Sequence, residues 1–271
     1  MTTPRDDLGQ PVPLPAEVRR VVSLVPSLTE SVAATAPGLL AGATDWCTHP
    51  AGLEVPRVGG TKNPDVPRIV RLRPDVVLAN EEENRPADLE ALRAAGVAVW
   101  VTVIRDLDQA LVSLGRMLQA VCGQARPTWL SDAERAWAGG TAIASRRRAV
   151  VPIWRRPWMV LGSDTFAGDV LARLGVDNVF GVRAERYPKI PLADLHTAGA
   201  DMVVLPDEPY RFSPGDGPEC FPGLDIALVS GRHLTWYGPS LAEAPAVLSR
   251  ALRTARPGTA DDGPAGDGPG R

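Results

Sequence analysis

Short apolar runs alternate with longer amphipathic stretches along most of the chain, the pattern of an α/β protein with mainly parallel strands. The apolar runs predict strands at Arg20–Val25, Leu39–Thr44, Val76–Ala79, Val97–Val101, Ala149–Ile153, Met159–Leu161, Met202–Leu205 and Ala227–Val229. Helical spacing marks Thr29–Ala36, Ala87–Ala95, Asp106–Val121 and Pro239–Thr254, with a weaker pattern over Thr128–Arg147 that Gly139-Gly140 interrupts. The ends lack such patterning. Residues 1–17 are rich in proline and charge, and residues 255–271 consist mostly of Gly, Pro, Asp and Ala, so both are expected to be disordered tails.

A faint repeat runs through this pattern. Residues 63–80 (NPDVPRIVRLRPDVVLAN) and 187–206 (YPKIPLADLHTAGADMVVLP) share a proline-spaced start, an amphipathic middle and an apolar strand entered through an aspartate, Asp75 or Asp201. Each copy runs into an acidic loop, Glu81-Glu82-Glu83-Asn84 in the first and Asp207-Glu208-Pro209-Tyr210 in the second. Two α/β halves that present equivalent loops would form a two-lobed molecule with a cleft.

Composition narrows the function classes. With 271 residues, 44% hydrophobic and 23% charged, the chain can bury a sizeable core. Its 29 basic and 32 acidic residues form no long basic stripe, which argues against nucleic acid as a partner. Arg146-Arg147-Arg148 reads as a solvated helix end. Three widely spaced cysteines imply no disulfide framework. The first residues carry no apolar signal region or lipoprotein cysteine, and no run is long enough for a membrane span, so a cytoplasmic location is expected.

RVVSLVPSLTE (20–30), DWCTHP (45–50), RVGG (57–60) and RIVRLRPDVVLA (68–79) resemble the class III periplasmic binding proteins, specifically the cobalamin-binding receptors and helical backbone metal receptors. The likeness continues through IWRRPWMVLGSDTFAGDVLARLGVDNVF (153–180), LPDEPYRF (205–212) and WYGP (236–239). It implies two lobes with small, mainly parallel sheets flanked by helices, joined by a single long backbone helix. On that reading the N-terminal lobe is 18–105, connecting helices including the backbone helix occupy 106–148, and the C-terminal lobe is 149–254. It implies a metal chelate as ligand, of the cobalamin, haem or ferric siderophore type, with no intrinsic cofactor and a monomeric state.

The candidate ligand residues follow from their chemistry at strand ends. Trp46 stands where cobalamin receptors carry a stacking aromatic, and Trp154, Trp158, Trp236 and Tyr237 also fall where a flat chelate could be sandwiched. Taken singly, each tryptophan reads more readily as a packing residue than as a ligand contact. Trp129 and Trp137, on the connecting helix, read as packing. His49 is the candidate axial ligand to a chelated metal. Ser27-Leu28-Thr29-Glu30 has the spacing of a capping box, and Asp164-Thr165 sits in a similar turn, so Ser27, Thr29, Asp164 and Thr165 are helix-start groups that could also touch a ligand. In the acidic loops Glu81, Glu82 and Asn84 face Asp207, Glu208 and Tyr210 as hydrogen-bonding groups, with Arg85 and Arg155 to offset the glutamate charge. Asp194-x-His196-x-x-Gly199 matches a motif of cobalamin-dependent mutases, but it ends a helix rather than beginning one and is read as coincidence.

Two departures from the family pattern change the expected role. Exported receptors dock on a permease through one glutamate per lobe, and here Pro67 and Ala193 occupy those positions, with Asp65 and Asp194 nearby. The tryptophan preceding the first acidic loop of cobalamin receptors is Asn80 here. The sequence therefore predicts a cytosolic, transporter-independent chelate-binding protein and not an enzyme. The alternatives are an ABC importer's binding protein for cobalamin or an iron chelate, or an enzyme that modifies or metallates such a ligand with Glu82, Asp207 or His49 in acid–base roles.

Overall fold

Strands buried at every position must be covered on both faces, and the two longest that meet that condition are Val76–Asn80 and Met202–Pro206. Each lies inside its own sheet in the computed structural model, which describes residues 3–139 and 145–257. The chain divides into two compact units, one of residues 1–139 with 236–244, the other of residues 140–235 with 245–271.

The first unit runs β1 (Val21–Ser23), α1 (Pro26–Thr35), β2 (Leu40–Ala43), the small hairpin β3 (Gly59–Gly60) and β4 (Asn63–Pro64), α2 (Val66–Leu72), β5 (Val76–Asn80), α3 (Pro86–Ala94), β6 (Val99–Thr102), α4 (Leu107–Cys122) and α5 (Thr128–Ala138). Its sheet is parallel in the order β2-β1-β5-β6. Val22, Val77 and Val101 pack there against Ile69 of α2 and Leu92 of α3. Asp106 caps α4 by accepting from the Gln109 N–H at 2.7 Å, and Gly123 ends it in the left-handed conformation at φ 71°.

The second unit runs β7 (Arg147–Val150), the hairpin β8 (Pro152–Trp154) and β9 (Met159–Val160), α6 (Phe166–Arg173), β10 (Val176–Asn178), α7 (Leu192–His196), β11 (Met202–Pro206), β12 (Asp225–Val229) and α8 (Gly231–Thr235). The chain then contributes Trp236–Ala244 to the first unit, and the remaining elements are α9 (Ala244–Arg253) and β13 (Arg256–Pro257). The sheet order is β10-β7-β11-β12-β13, parallel except for β13.

The first four strands of the second sheet repeat the order of the first. The pin between the inner strands repeats too. Asp75 accepts from the N–H of Arg20 at 2.9 Å while its own N–H donates to the Arg20 carbonyl. Asp201 does the same with Arg148, at 2.8 Å in both directions. The aspartate noticed at each strand entrance thus has one job in both halves: it sets the register with the strand alongside.

Five local expectations give way. Residues 3–17 are not loose: Val12 is buried, the Asp6 carboxylate accepts from the Val101 N–H, and Asp7 binds Ser113 and Arg116. Residues 258–271, most of the other expected tail, lie outside the described residues. The capping box does not form, because Pro26 supplies a fixed φ and no N–H at the first helical position, so the helix starts earlier and Ser27 lies within it. Arg147 and Arg148 begin a strand rather than end a helix; Arg146 pairs with Asp177 and Arg147 with Asp225. The helix expected over Thr128–Arg147 is observed as Thr128–Ala138, and residues 140–144 lie outside the described set. The Pro239–Thr254 pattern resolves into a 3-10 turn at Pro239–Ala242 and α9.

Candidate ligand-binding loops

In the first unit the loop after β2 is held from below and open above. Arg57 donates to the carbonyls of Thr44, Cys47 and Leu53, at 3.0, 2.9 and 3.0 Å. Cys47 is fully buried, its thiol between the hydroxyls of Thr29 and Thr44, and burial raises its pKa. With that base fixed, Trp46 stands 66% exposed. His49, two residues on from Cys47, sets its ring edge-on to Trp236 at 5.3 Å and shares a 3.2 Å hydrogen bond between Nδ1 and the Thr48 hydroxyl. Trp236 and Tyr237 are themselves buried, so they act as backing and not as open faces.

The acidic loop of this unit is rigid because of two asparagines. Asn80 donates to the Thr102 carbonyl and hydroxyl and accepts from the N–H of Glu82 and Glu83, closing the turn over its own side chain. Asn84 accepts from the Asn80 N–H at 2.9 Å and donates to the carbonyls of Thr61 and Leu24. Both are buried. Asn84 is therefore a structural tie, not the ligand acceptor expected from its position. The glutamate charge is also offset by other partners than those expected: Arg105 pairs with Glu81 at 2.7 Å, and Lys62 reaches the Glu82 carbonyl. Arg85 turns instead to Asp88 on its own helix. Burial raises the pKa of Glu83, with Glu82 adding to the rise and Lys62 opposing it.

In the second unit Trp154, at the end of β8, is 43% exposed and meets Tyr210 edge-on at 5.6 Å. Tyr210 packs on Phe212 at 4.6 Å, and Trp158 lies parallel to Phe212 at 6.1 Å. An ionic frame holds these rings. The Tyr210 hydroxyl donates to Asp216 at 2.6 Å, Arg155 binds both Asp216 and Glu219, and the Arg155 guanidinium lies 5.6 Å over the Trp158 ring. Arg155, expected to offset the glutamates, is committed within its own unit to Asp216 and Glu219. Asp207 accepts from the Gly231 N–H at 2.6 Å, at the start of α8. Glu208 lies against Gly231, where a Cβ would come within 2.6 Å of its backbone N.

Among the helix-start residues, Ser27 and Thr29 are buried in α1, and the Thr29 hydroxyl is spent on the Val25 carbonyl and Cys47. Thr165 is the buried cap of α6, accepting from Gly168. Asp164 is exposed with φ 52°, its carbonyl accepting from Arg186. Trp129 and Trp137 pack as expected, with indole N–H bonds to the Thr35 hydroxyl and the Leu241 carbonyl. His196 ends α7 ahead of β11, the arrangement that sets its motif apart from the mutases, and its Nε2 meets the Cys220 carbonyl. Among the described residues no group of three or more His, Cys, Asp or Glu is arranged to hold a metal ion. No described helix is long and apolar enough to cross a membrane.

Two half-sheets of one strand order, each ending in ring-bearing and acidic loops, have close counterparts. A sequence model described as periplasmic binding protein matches residues 21–208. The chain belongs to that family. Vitamin B12-binding protein of Vibrio cholerae is 24% identical over 194 residues, 68% of each chain. A periplasmic heme-binding protein of Pseudomonas aeruginosa superposes with a TM-score of 0.71 at 25% identity, covering 90% of this chain and 96% of that one. CeuE of Helicobacter pylori, solved as a nickel–histidine complex, gives a TM-score of 0.76 at 14% identity, covering 92% and 87%. The chain thus has the two-lobe class III periplasmic binding fold, and the relatives it matches are binding proteins. The cytoplasmic location expected from the first residues is corrected by this membership, which points to the periplasm.

Proposed function

We propose that the protein is the binding component of an ABC importer for a metal chelate of the cobalamin, haem or ferric siderophore class. The observation that carries this reading is the pair of exposed tryptophans, Trp46 and Trp154, each on a braced loop at the end of a strand. A large exposed indole is costly to leave in water, and on a rigid support it stacks on a flat apolar face with little further loss of freedom. His49 is the residue to supply an axial nitrogen, its Nδ1 engaged by Thr48 and its Nε2 the atom for a metal. Glu81, Glu82 and Glu208 are the acceptors for ligand amides. Asp207 is better placed as a helix-start anchor, and its committed carboxylate disfavours the acid–base role that an enzyme would ask of it. Pro67 and Ala193 are exposed and uncharged, so docking on a permease would rest on other groups, with Asp65 and Asp194 exposed beside them.

The test is tryptophan fluorescence of the purified chain titrated with cyanocobalamin, haemin and a ferric siderophore. One of the three is expected to quench saturably, and Trp46→Ala and Trp154→Ala are each expected to weaken that ligand about tenfold. Absence of saturable quenching by all three overturns the proposal.

A further inference from the structure

Among the described residues each unit has one two-stranded hairpin, β3–β4 in the first and β8–β9 in the second. The turn of each carries a cation next to an exposed tryptophan. In the first unit the indole nitrogen of Trp46 lies against Gly60, where a Cβ would come within 3.4 Å of it, and Lys62 follows in the turn of the same hairpin. In the second, Trp154 ends β8 and Arg156 follows in the turn. Arg155 and Arg156 part at a left-handed backbone, φ 67° at Arg156: one side chain turns in to Asp216 and Glu219, the other is exposed.

The donors of both cations are largely unspent. Lys62 gives an N–H to the Glu82 carbonyl and enters no ion pair among the described residues, so the rest of its ammonium donors stay open. Arg156 has no hydrogen bond and no ion pair among the described residues. Its charge is nevertheless felt by Tyr210 and Asp216, which puts it near the ring that Trp154 meets edge-on. The carboxylates of the same loops stand differently, because Arg105 answers Glu81 while Arg155 answers Asp216 and Glu219. They can still accept from a ligand, but Lys62 and Arg156 are the groups that offer it open charge-assisted donors. Asp45, exposed and next to Trp46 in the chain, is the opposing charge.

Resting on the function proposed above, we infer that the chelate is flat and bears carboxylates on its rim, which Lys62 takes beside Trp46 and Arg156 takes beside Trp154. A rim of neutral amides would leave both cations unused. The probes are haemin, which carries propionates, its uncharged dimethyl ester, cyanocobalamin with its amide rim, and ferric citrate, whose carboxylates come without a flat face. Each is followed by tryptophan fluorescence of the full chain. Haemin is expected to bind about tenfold more tightly than any of the other three. Lys62→Gln and Arg156→Gln are each expected to weaken haemin about fivefold and to leave the ester unchanged, while Asp45→Asn does not weaken haemin. Both cations are exposed, so their variants keep the fold, and the ester reports any indirect damage to the tryptophan faces. The inference is overturned if the ester binds as tightly as haemin, if both glutamine variants bind haemin as the parent does, if Asp45→Asn weakens haemin as much as they do, or if cyanocobalamin or ferric citrate binds more tightly. The function proposed above survives each of those results. Absence of saturable quenching by every probe overturns that function as well.

Discussion

The acidic loop of the first unit is fixed by neutral amides, that of the second by charges. Asn80 and Asn84 tie Glu81–Glu83 to the ends of neighbouring strands from inside the core. Asp207 and the Arg155–Asp216–Tyr210 frame do the equivalent work nearer the surface. One strand order and one aspartate pin therefore serve two different methods of bracing. The backbone frame constrains where a loop begins, and the side chains that immobilise it are free to diverge. Buried amide ties are expensive to break because each removal strands donors away from water, while exposed ionic frames cost less to lose and respond to pH.

The sharpest way to break this contrast is by deletion at the two anchors. Asn80→Ala is expected to lower stability by about 3 kcal/mol in urea denaturation, since it leaves the N–H groups of Glu82 and Glu83 without their acceptor; Asp207→Ala, which frees one N–H, should cost about 1 kcal/mol. Equal losses would show that the two loops are held alike. Next come the strand pins. Asp75 accepts from both Arg19 and Arg20, at 2.7 and 2.9 Å, against one backbone donor for Asp201. Asp75→Ala should cost about 2 kcal/mol and Asp201→Ala about 1 kcal/mol in the same assay.

The smallest effect is one of sign. Burial raises the Glu83 pKa, so its folded state holds the proton more tightly than the unfolded chain does. Its contribution is full below the ordinary glutamate value and is lost as pH rises through the raised one. Asp216 runs the other way: the Tyr210 hydrogen bond lowers its pKa, outweighing the cost of burial with help from Arg155. That contribution is present above the ordinary aspartate value and lost as pH falls through the lowered one. As pH rises from about 4 to 7, Glu83→Gln should therefore gain stability relative to the parent, whereas Asp216→Asn should lag the parent by a steady amount over that range and close on it only as pH falls below about 4. Parallel pH profiles for the two variants would remove the distinction between the loops.

The strands were readable because apolar runs such as Val76–Ala79 and Met202–Leu205 need no distant partner to be recognised. Short helices were harder: Asp164-Thr165 reads as a helix start, but Phe166–Arg173 spans only two turns, too few for its periodicity to mark a helix. The N-terminal segment misled because a single buried valine and two aspartates hold it, too little apolar pattern to mark an ordered stretch. The exposure of Trp46 and Trp154 follows from their places at strand ends. The partners of the acidic residues do not, since Arg105 lies 24 residues from Glu81 and Arg155 61 from Asp216. Asn80 was the most informative residue missed: it was noted only as a substitution for tryptophan, yet its position just before a run of glutamates, two and three residues ahead of the N–H groups it accepts, is the signature of an asparagine-closed turn.

The excursion of Trp236–Ala244 into the first unit governs how the gene can be divided. A fragment stopping at residue 139 would lack the ring against which His49 rests and the carbonyl that Trp137 binds. Halves cut by simple truncation would each begin life missing or misplacing a piece, so dissection calls for grafting 236–244 back onto the front half through a designed linker.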